Sequence, residues 1–467
     1  MSAATLPVRA TPEELNAKGA EFFRDGHLEP ARLHFLAALS LSPEQPQVLQ
    51  NLGAVLRSLG HYEAAESVAK RSVALTPESP FCLSNLGVSM LALRKYSDAL
   101  EILRDVTRRM PESGPSWHNY GLALYMLGRY VPALAALDKS LSTDYNNPQA
   151  KSDRALTLLA LERIQEGLEA YECRWEVLTK SKIWKMATPE WQGEPLRGRR
   201  ILVHHEQGFG DSLMLVRFIK PLAIQGAIIT LAVPLPLVAL FKRSFSPFIK
   251  VIDMEDPSIE EDTSFDYHSP LLSTMRWLGI QAGKDINAEP YLIGYPERAS
   301  INLPTAAYRI GICWASGNHG PALVERRRVV PLTKFLAMSE IRGVSLVSLQ
   351  VGRESQDISA NGLEGIIFDP SYRIEDFANT ADIISRLDLV VSVDSAVAHL
   401  AGAMGKPCIM LSPYTRCWRW WNEKSGWPWY ERMTVFSQSQ NGLWSDAVRF
   451  ATKEVRWRVA EQNRDMR

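Results

Sequence analysis

The fold of the amino-terminal part of the chain is decided by a stretch that recurs along it, NLGVSMLALRKYSDAL at residues 85–100. Its glycine, tyrosine and alanine each return at a spacing of 34 residues. The returning residues are Gly19, Gly53, Gly87 and Gly121, then Tyr62, Tyr96 and Tyr130, then Ala31, Ala65, Ala99 and Ala133. Successive units close at Pro43, Pro77 and Pro111. A fixed period of this length predicts stacked helix–turn–helix units that bury a continuous core.

Each recurring residue has a physical role in a pair of helices. The glycine lets the partner helix approach closely, the tyrosine opens the second helix, the small alanine lies where the helices cross, and the proline stops the second helix. This order of residues resembles the tetratricopeptide repeat. Five units fit between residues 12 and 181, and the fifth is degenerate because Ala155 replaces the glycine and Gly167 replaces the alanine. A degenerate last unit is typical of a cap that docks on a following domain.

The period does not specify what the repeats bind. Arrays of this kind most often hold a protein or peptide segment in a concave groove, so the resemblance implies a protein partner. A spacer or an oligomerisation surface is the alternative.

The composition limits the class of protein. The chain has 467 residues, which at roughly 150 residues per domain suggests about three domains. Lys and Arg total 52 and Asp and Glu total 52, so the formal net charge is zero, and neither a general nucleic-acid binder nor a polybasic membrane protein is expected. Five cysteines without a CxxC pair favour a reducing compartment. Since no stretch has the length and apolarity of a signal peptide or a membrane span, we expect a cytoplasmic protein.

After Trp184, apolar runs of strand length alternate with helical stretches, which predicts parallel sheets with crossover helices. The predicted strands are Arg200–His204, Ile228–Val233, Ile249–Ile252, Arg309–Trp314, Ser345–Gln350, Gly365–Phe368, Leu389–Val393 and Cys408–Leu411. The proline-containing segment Glu289–Thr305 separates them into two sets. We therefore predict two Rossmann-like domains, residues 182–300 and 301–467, after a repeat array of residues 12–181. One larger α/β domain is the alternative to two.

The first candidate site motif follows the predicted strand Arg200–His204. It is Glu206-Gln207-Gly208-Phe209-Gly210-Asp211-Ser212, and an apolar helical stretch comes after it. Ligands of open α/β sheets bind beyond the carboxyl ends of the strands, so Asp211 is expected at a helix start that faces a cleft. Gly208 and Gly210 permit a tight turn and close backbone approach. Asp211 is then either a general base or a carboxylate that caps free backbone amides.

The second motif is Ser392-Val393-Asp394-Ser395-Ala396-Val397-Ala398-His399, where a β-rich run ends and a helix of small residues begins. The free amides of Ser395, Ala396 and Val397, together with the positive end of the helix dipole, form a site suited to a diphosphate. His399 lies one turn into the helix. It is either a donor to a phosphate or sugar oxygen or a partly buried packing residue.

The order of these motifs resembles the glycosyltransferases related to bacterial lipopolysaccharide heptosyltransferases. That family has a Gly-Asp turn after its first strand and an Asp-Ser/Thr-x-x-x-His-Leu-Ala-x-Ala helix start in its second domain. The whole chain is similar to the subgroup in which tetratricopeptide repeats precede such a domain. Further resembling stretches are Trp191-Gln192-Gly193, Trp314-Ala315-Ser316-Gly317-Asn318, Leu349-Gln350, Asp376-Phe377-Ala378-Asn379-Thr380-Ala381 and Trp418-Arg419-Trp420. The resemblance implies a GT-B fold, in which two Rossmann-like domains face a cleft.

The resemblance also implies roles for single residues. Asp211 matches the family's proposed base, and Arg328 of the run Arg326-Arg327-Arg328 falls where an arginine neutralises the departing diphosphate. A solvated loop is the alternative for this run. The residues expected to contact the donor are Gly208, Gly210, Trp314, Ser316, Gln350, Asp376, Asp394, Ser395, Ala396 and His399. The nucleotide sugar is a substrate, and neither a cofactor nor a metal ion is expected.

One segment departs from the family pattern. Cys417 stands where the family often has an aspartate, directly before Trp418-Arg419-Trp420. Tryptophans are concentrated between Trp418 and Trp429, and they either stack on a base or sugar ring or pack the returning chain onto the first Rossmann-like domain. These differences from the family pattern are expected to affect which nucleotide sugar is bound more than whether transfer occurs.

The function implied by the resemblance is transfer of a sugar from a nucleotide-sugar donor to a protein hydroxyl. The repeats would hold the acceptor, and a flagellin-like surface protein modified before export is a candidate. Two alternatives stay open: an enzyme that extends a glycan or a lipid-linked saccharide with the repeats as scaffold, and a non-catalytic scaffold protein.

Overall fold

The structure is a computed structural model. It describes residues 10–178, 186, 188–245, 247–299, 301–316, 328–415, 417–420, 429–440 and 442–465. The chain divides into two compact units, Met1–Leu161 and Glu162–Arg467. The division falls inside the fifth predicted repeat, so the second helix of that repeat belongs to the second unit.

The described part of the first unit consists of helices. They are α1 Pro12–Arg24, α2 Leu28–Leu41, α3 Pro46–Ser58, α4 Tyr62–Leu75, α5 Pro80–Ala92, α6 Tyr96–Arg109, α7 Gly114–Met126, α8 Tyr130–Thr143 and α9 Pro148–Ala160. Consecutive helices pack as pairs, from α1 with α2 to α7 with α8. The turn inside a pair needs one residue with left-handed backbone, and Gly26, Gly60 and Gly128 adopt it without strain. The predicted tetratricopeptide fold is confirmed.

The recurring glycine of each first helix sets how closely the second helix approaches. A Cβ on Gly87 would lie 2.7 Å from the side chain of Leu103, and a Cβ on Gly121 would lie 2.9 Å from that of Leu137. Gly53 differs, because the nearest atom to its Cβ would be 3.8 Å away. The residue 16 positions later, a leucine in the other two pairs, is Ala69 in this one. The glycine is therefore sterically required in some pairs and not in others.

Polar side chains join successive first helices, which contact one another along the array. Asn51 Nδ2 donates to Asn16 Oδ1 at 2.9 Å, and Arg57 donates to Asn85 Oδ1 at 3.1 Å. These half-buried hydrogen bonds fix the register between one pair and the next, because a shifted stack would leave them unmade.

The second unit contains two parallel sheets. Their strands are β1 Arg200–His204, β2 Ile228–Val233, β3 Lys250–Asp253, β4 Tyr267–Pro270, β5 Tyr308–Cys313, β6 Val344–Ser348, β7 Ile367–Phe368, β8 Leu389–Val393, β9 Cys408–Ser412 and β10 Met433–Ser437. The strand order is β3-β2-β1-β4 in the first sheet and β10-β9-β8-β5-β6-β7 in the second, and all pairings are parallel. The predicted α/β class with Rossmann-like sheets is confirmed.

Helices connect these strands. They are α10 Ile164–Ala170, α11 Phe209–Leu215, α12 Ile219–Ile224, α13 Leu235–Phe245, α14 Ser258–Glu261, α15 Ser273–Trp277, α16 Leu336–Ser339, α17 Asp357–Ala360, α18 Phe377–Ser385, α19 Ala396–Ala403 and α20 Ser445–Asp465. The 3-10 helices are Tyr171–Glu176, Val216–Phe218, Gly283–Asp285, Pro296–Arg298, Leu332–Phe335, Arg353–Gln356 and Ser371–Arg373. Within the described ranges, no helix combines the length and apolarity needed to cross a membrane.

The strand orders locate the expected ligand site. The order in which successive strands are added reverses between β1 and β4 in the first sheet, and between β5 and β8 in the second. Ligands of open α/β sheets bind beyond the carboxyl ends of strands at such reversals. The segments that follow β1, β5 and β8 are therefore the ones expected to form the site.

The sequence predicts eight of these strands close to their observed bounds and misses two, β4 and β10. Strand β4 has the sequence Tyr-His-Ser-Pro, with three residues that carry polar groups and a proline, so neither composition nor alternation identifies it. Its pairing with β1 identifies it in the structure, through the register of Ile201 with Tyr267.

We predict opposite effects of the same substitution at equivalent glycines. Gly87→Ala should lower the free energy of unfolding by about 1–2 kcal/mol, since the methyl group displaces the fully buried Leu103. Gly53→Ala should raise it by up to about 1 kcal/mol, because alanine has the higher helix propensity and meets no close neighbour. Urea unfolding of the full chain, followed by far-ultraviolet circular dichroism, measures both. Equal effects at the two positions would contradict the packing described for the repeats.

Candidate active site

The turn after β1 places Asp211 in the first turn of α11. Gly208 immediately precedes the helix, and its backbone N–H donates to Asp211 Oδ2 at 3.1 Å. The carboxylate thus satisfies an amide that the helix itself leaves unpaired. Its other oxygen, Oδ1, accepts a hydrogen bond from Arg419 Nη2. One carboxylate therefore caps a helix and forms an ion pair at the same time.

Three neighbours determine the basicity of Asp211. Burial raises the pKa of this carboxyl group, but the positive charge of Arg419, the Gly208 N–H and His399 together outweigh burial and bring the pKa below its ordinary value. Because a depressed pKa makes a carboxylate a weaker proton acceptor, Asp211 paired with Arg419 is a poor general base.

Glu206, five residues before Asp211, is anchored separately. Its Oε2 accepts from Arg174 Nε at 2.6 Å and its Oε1 accepts from the Leu272 N–H at 2.6 Å. The Arg174 side chain is fully buried and also donates to Ser273 Oγ at 2.8 Å. Since a buried charge is tolerated only when it is paired, this network fixes the beginning of the turn that carries Asp211.

The segment after β8 forms the start of α19. Ser395 caps the helix, with its Oγ 3.5 Å from the Ala398 N–H and 2.8 Å from Ser392 Oγ. Ala396 is half-buried, whereas Val397 is buried. The Ala398 N–H thus has an acceptor, whereas the N–H groups of Ala396 and Val397 have none within the helix, and they stay the predicted contacts of a diphosphate.

The two helix starts lie against each other at Gly210. A Cβ on this glycine would lie 2.9 Å from His399 Cδ2 and 3.6 Å from Ala396 Cα. Phe209 and Phe377 make a second contact between the two sheets' helices, with ring centroids 5.3 Å apart. The close approach brings Asp211 beside the start of α19.

His399 is a buried, neutral group in this site. Its ring stacks on Trp420 at 5.1 Å between centroids, and its Nδ1 lies 2.9 Å from the Tyr430 hydroxyl. Burial lowers the pKa of His399 to about 4, although the carboxylates of Asp394 and Asp211 oppose the shift. An imidazole that is neutral at pH 7 donates through one nitrogen and accepts through the other.

A second ion pair lies on the far side of His399. Arg328 Nη1 is 3.9 Å from Asp394 Oδ2, and His399 Nε2 is 4.0 Å from Asp394 Oδ1. Arg328 thus lies close to the start of α19, and its contact with a diphosphate stays a prediction. Arg326 and Arg327 of the same run lie outside the described residues.

The residues at the end of β5 have structural partners. Trp314 is fully buried, and its indole N–H donates to Asp357 Oδ2 at 2.9 Å. Gln350 Oε1 accepts from the backbone N–H groups of Trp314 at 3.2 Å and of Ala315 at 3.0 Å. Ser316 donates its N–H to the Arg328 carbonyl at 3.3 Å. The indole and backbone N–H groups of Trp314 thus have partners within the protein, and the roles of these residues in binding the nucleotide sugar stay predictions.

Asp376 is the amino-terminal cap of α18. Its Oδ1 accepts from the Asn379 N–H at 2.8 Å, and it precedes Phe377, which contacts Phe209. The structure thus places Asp376 near the cleft through its neighbour, while its carboxylate already has a partner.

Sequence reasoning misses the residues that hold the two sheets' helices together. In the sequence, Arg419 is noted only as part of the stretch Trp418-Arg419-Trp420, and no motif indicates a role for Arg217. Arg217 donates to the Trp429 carbonyl at 2.7 Å and to Tyr291 Oη at 3.0 Å. Its guanidinium lies 4.9 Å from the Tyr430 ring centroid. The only sequence signal for this cluster is the aromatic residues after Arg419.

Metal-binding side chains are not grouped in the described ranges. No set of three or more His, Cys, Asp or Glu side chains there could hold a metal ion. The expectation of metal-independent transfer stays a prediction.

Two protein families match the chain. Glycosyltransferase family 9 (heptosyltransferase) matches residues 375–448, and the tetratricopeptide repeat matches residues 16–80 and 85–150. The chain thus carries tetratricopeptide repeats followed by a heptosyltransferase-type family 9 domain. The matched range of that domain contains Asp394, His399 and Arg419, whereas Asp211 precedes it.

The chain is also similar to a curated protein, Protein FlbA of Caulobacter vibrioides, with 28% identity over 321 residues. The similarity covers 63% of this chain and 53% of FlbA. The chain therefore spans about half the length of this relative.

The chain is similar to several solved structures over about a third of its length. A thermophilic tetratricopeptide-repeat protein of Thermus thermophilus is 25% identical, with 36% of this chain and 93% of that chain covered and a TM-score of 0.34. The pilF protein of Pseudomonas aeruginosa is 19% identical, with 34% and 75% covered and a TM-score of 0.32. MamA of Desulfovibrio magneticus RS-1 is 18% identical, with 37% and 97% covered and a TM-score of 0.32.

We predict that His399 makes the second unit less stable in acid. Its folded pKa of about 4 lies below its ordinary value of 6.5, so the unfolded chain binds the proton more readily and stability is lost as the pH falls from 6.5 towards 4. Between pH ~7 and ~5 the wild type should lose about 2 kcal/mol more than His399→Gln.

Urea unfolding followed by tryptophan fluorescence measures this difference. All of the 13 tryptophans except Trp117 lie in the second unit, so the signal reports mainly on that unit. Equal losses in the wild type and in His399→Gln would contradict a buried neutral histidine. His204, whose burial lowers its pKa to about 3, supplies a comparison variant outside the site.

Proposed function

We propose that the chain is a glycosyltransferase that moves a sugar from a nucleotide-sugar donor to a hydroxyl group of a protein acceptor. The observation that carries this proposal is the contact of the two helix starts at Gly210. This contact supports the proposal because it puts a carboxylate, Asp211, directly beside the start of α19, which is the proposed diphosphate site. Glycosyl transfer needs a proton acceptor for the attacking hydroxyl and a site for the departing diphosphate, and here the two are adjacent.

Each side chain has a role in the proposed reaction. The first-turn amides of α19 hold the diphosphate, and Arg328 offsets the negative charge that develops on it as the bond to the sugar breaks. Asp211 takes the proton of the acceptor hydroxyl while the hydroxyl oxygen bonds to the anomeric carbon, and the bond from that carbon to the diphosphate breaks so that the nucleoside diphosphate leaves. Neutral His399 donates to a phosphate or sugar oxygen.

The repeats supply the protein-binding part of the proposal. Stacked tetratricopeptide units form an extended groove of a kind that holds peptide segments, and the match of that family to residues 16–80 and 85–150 supports a protein partner. We propose a flagellin-like surface protein as the acceptor, modified in the cytoplasm before export. Incubation with a panel of nucleotide sugars would identify the sugar and the nucleotide of the donor.

Incubation of the purified full chain with UDP-, GDP- and CMP-sugars and a recombinant flagellin tests this function. Intact mass spectrometry should show the acceptor heavier by one or more sugar residues. Asp211→Asn should lower the transfer rate by about 10²- to 10⁴-fold, the usual contribution of a general base. Asp446→Asn, which removes an equal charge from an exposed pair with Arg449, is the matched control and should keep the wild-type rate.

Two results would contradict the proposal separately. Full-rate transfer by Asp211→Asn would exclude Asp211 as the base. No mass increase with any donor and any offered acceptor would count against protein glycosylation.

Transfer that persists in excess EDTA would confirm that no metal ion is needed, and its loss would show the opposite.

One surface favours a second candidate function, extension of a saccharide on a lipid carrier. A groove along α20 is lined by Lys334, Arg449, Lys453 and Arg456, and Trp457 of the same helix is half exposed. Clustered cations with an interfacial tryptophan favour contact with anionic lipid. Flotation of the protein with phosphatidylglycerol vesicles, lost in Lys453→Glu, would support this candidate, and no flotation would remove it.

A further inference from the structure

We propose that Arg419 exchanges partners during the reaction: it holds Asp211 in the free protein and moves to the donor's diphosphate when a nucleotide sugar binds, which frees Asp211 to accept the acceptor's proton. This inference rests on the proposed function. It makes Arg419 a donor-binding residue and makes base activity dependent on a bound donor.

Arg419 has hydrogen-bonding capacity that its present partners do not use. Nη2 donates to Asp211 Oδ1, and Nη1 lies 3.0 Å from Cys417 Sγ, a weak acceptor. Among the described residues, the buried Nε has no partner. A guanidinium whose planar fork is used at one strong acceptor is suited to a second acceptor with two oxygens, such as a phosphate.

The position of Arg419 puts the anion site of α19 within reach. Asp211 follows Gly210, which touches Ala396 and His399. The neighbour of Arg419, Trp420, stacks on the His399 ring. A phosphate bound at the first-turn amides of α19 would therefore lie near the same guanidinium that now contacts Asp211.

The backbone of Arg419 is held by a hydrogen bond, while its guanidinium contacts Asp211, Cys417 Sγ and the Trp418 ring. Its carbonyl accepts from the Trp429 indole N–H at 2.6 Å, which fixes the main chain. The Arg419 side chain is 13% exposed and the Asp211 side chain 19% exposed, so both are partly accessible to solvent. The exchange requires the long side chain to rotate and the guanidinium to leave Asp211, Cys417 Sγ and the Trp418 ring.

Charge favours the exchange. A diphosphate carries more negative charge than one carboxylate and presents paired oxygens, so it competes well for the guanidinium. Once Arg419 leaves, the main influence that lowers the pKa of Asp211 is gone and burial, which raises it, dominates. The carboxylate then becomes a stronger base at the moment when a donor is present.

A purely structural ion pair predicts a different effect of removing Asp211. If Arg419 only fixes the turn, then loss of either partner disturbs the cleft and weakens nucleotide binding. If Asp211 competes with the diphosphate for Arg419, then loss of Asp211 strengthens nucleotide binding. The sign of the Asp211→Asn effect therefore distinguishes the two roles.

Isothermal titration of the full chain with UDP, GDP, ADP, CDP and CMP provides the test. For the nucleoside diphosphate that the wild type binds, Asp211→Asn should bind about fivefold more tightly, because the competing charge is removed. Arg419→Gln should bind about tenfold more weakly. Asp211→Asn should give little further change in the Arg419→Gln background, and Asp446→Asn should match the wild type.

Each outcome has a definite consequence. Unchanged or weaker binding by Asp211→Asn overturns the exchange and leaves the proposed function intact. An equal gain from Asp211→Asn with and without Arg419 also overturns it, since the gain would then be general electrostatics. If the wild type binds none of the nucleotides, the proposed function fails and the exchange fails with it. Should Arg419→Gln not fold, as judged by tryptophan fluorescence, the sign of the Asp211→Asn effect decides alone.

Discussion

The site depends on the missing side chain of Gly210. Any Cβ there would enter the space of His399 and approach the backbone of Ala396, so the starts of α11 and α19 could not meet. Their contact is what joins the segment after β1 to the segment after β8. Asp211 lies one residue beyond this contact, and the proposed anion site includes the Ala396 N–H itself. A single steric condition thus brings together two groups that come from different sheets and are far apart in sequence.

The electrostatics of the cleft are balanced within a small volume. Arg419 pairs with Asp211, Arg328 lies beside Asp394, and neutral His399 lies between the two carboxylates. Positive and negative side chains are also equal in number in the whole chain, which has 52 basic and 52 acidic residues. Because each arginine of the site already lies beside a carboxylate, an incoming diphosphate has to compete with that carboxylate for the arginine. It does not enter a region of net positive charge.

The sequence predicts those parts of the structure that depend on local patterns. The 34-residue period reveals the repeats because each unit repeats the same helix crossing, and the apolar runs before Asp211 and Asp394 reveal β1 and β8. The steric reason for Gly87 depends on Leu103, and its absence at Gly53 depends on Ala69; both can be read from the printed sequence once the pairing of helices is known.

The rest of the site depends on long-range contacts that no local pattern encodes. Arg419 meets Asp211 across 208 positions, and Arg174 meets Glu206 across 32 positions. Trp314 follows a strand that leads to the site, yet its ring turns into the core to bond Asp357, a choice that depends on packing around it. Strand β4 is not predicted from the sequence, because it consists of three residues with polar groups and a proline. It is recognised by its pairing with β1.

The most direct test of the account is a crystal structure of the full chain with the nucleoside diphosphate that it binds. We expect phosphate oxygens within hydrogen-bonding distance of the Ala396 and Val397 N–H groups, with the Arg419 guanidinium on the phosphates and Asp211 released from it. A nucleotide bound away from the start of α19 would contradict the account.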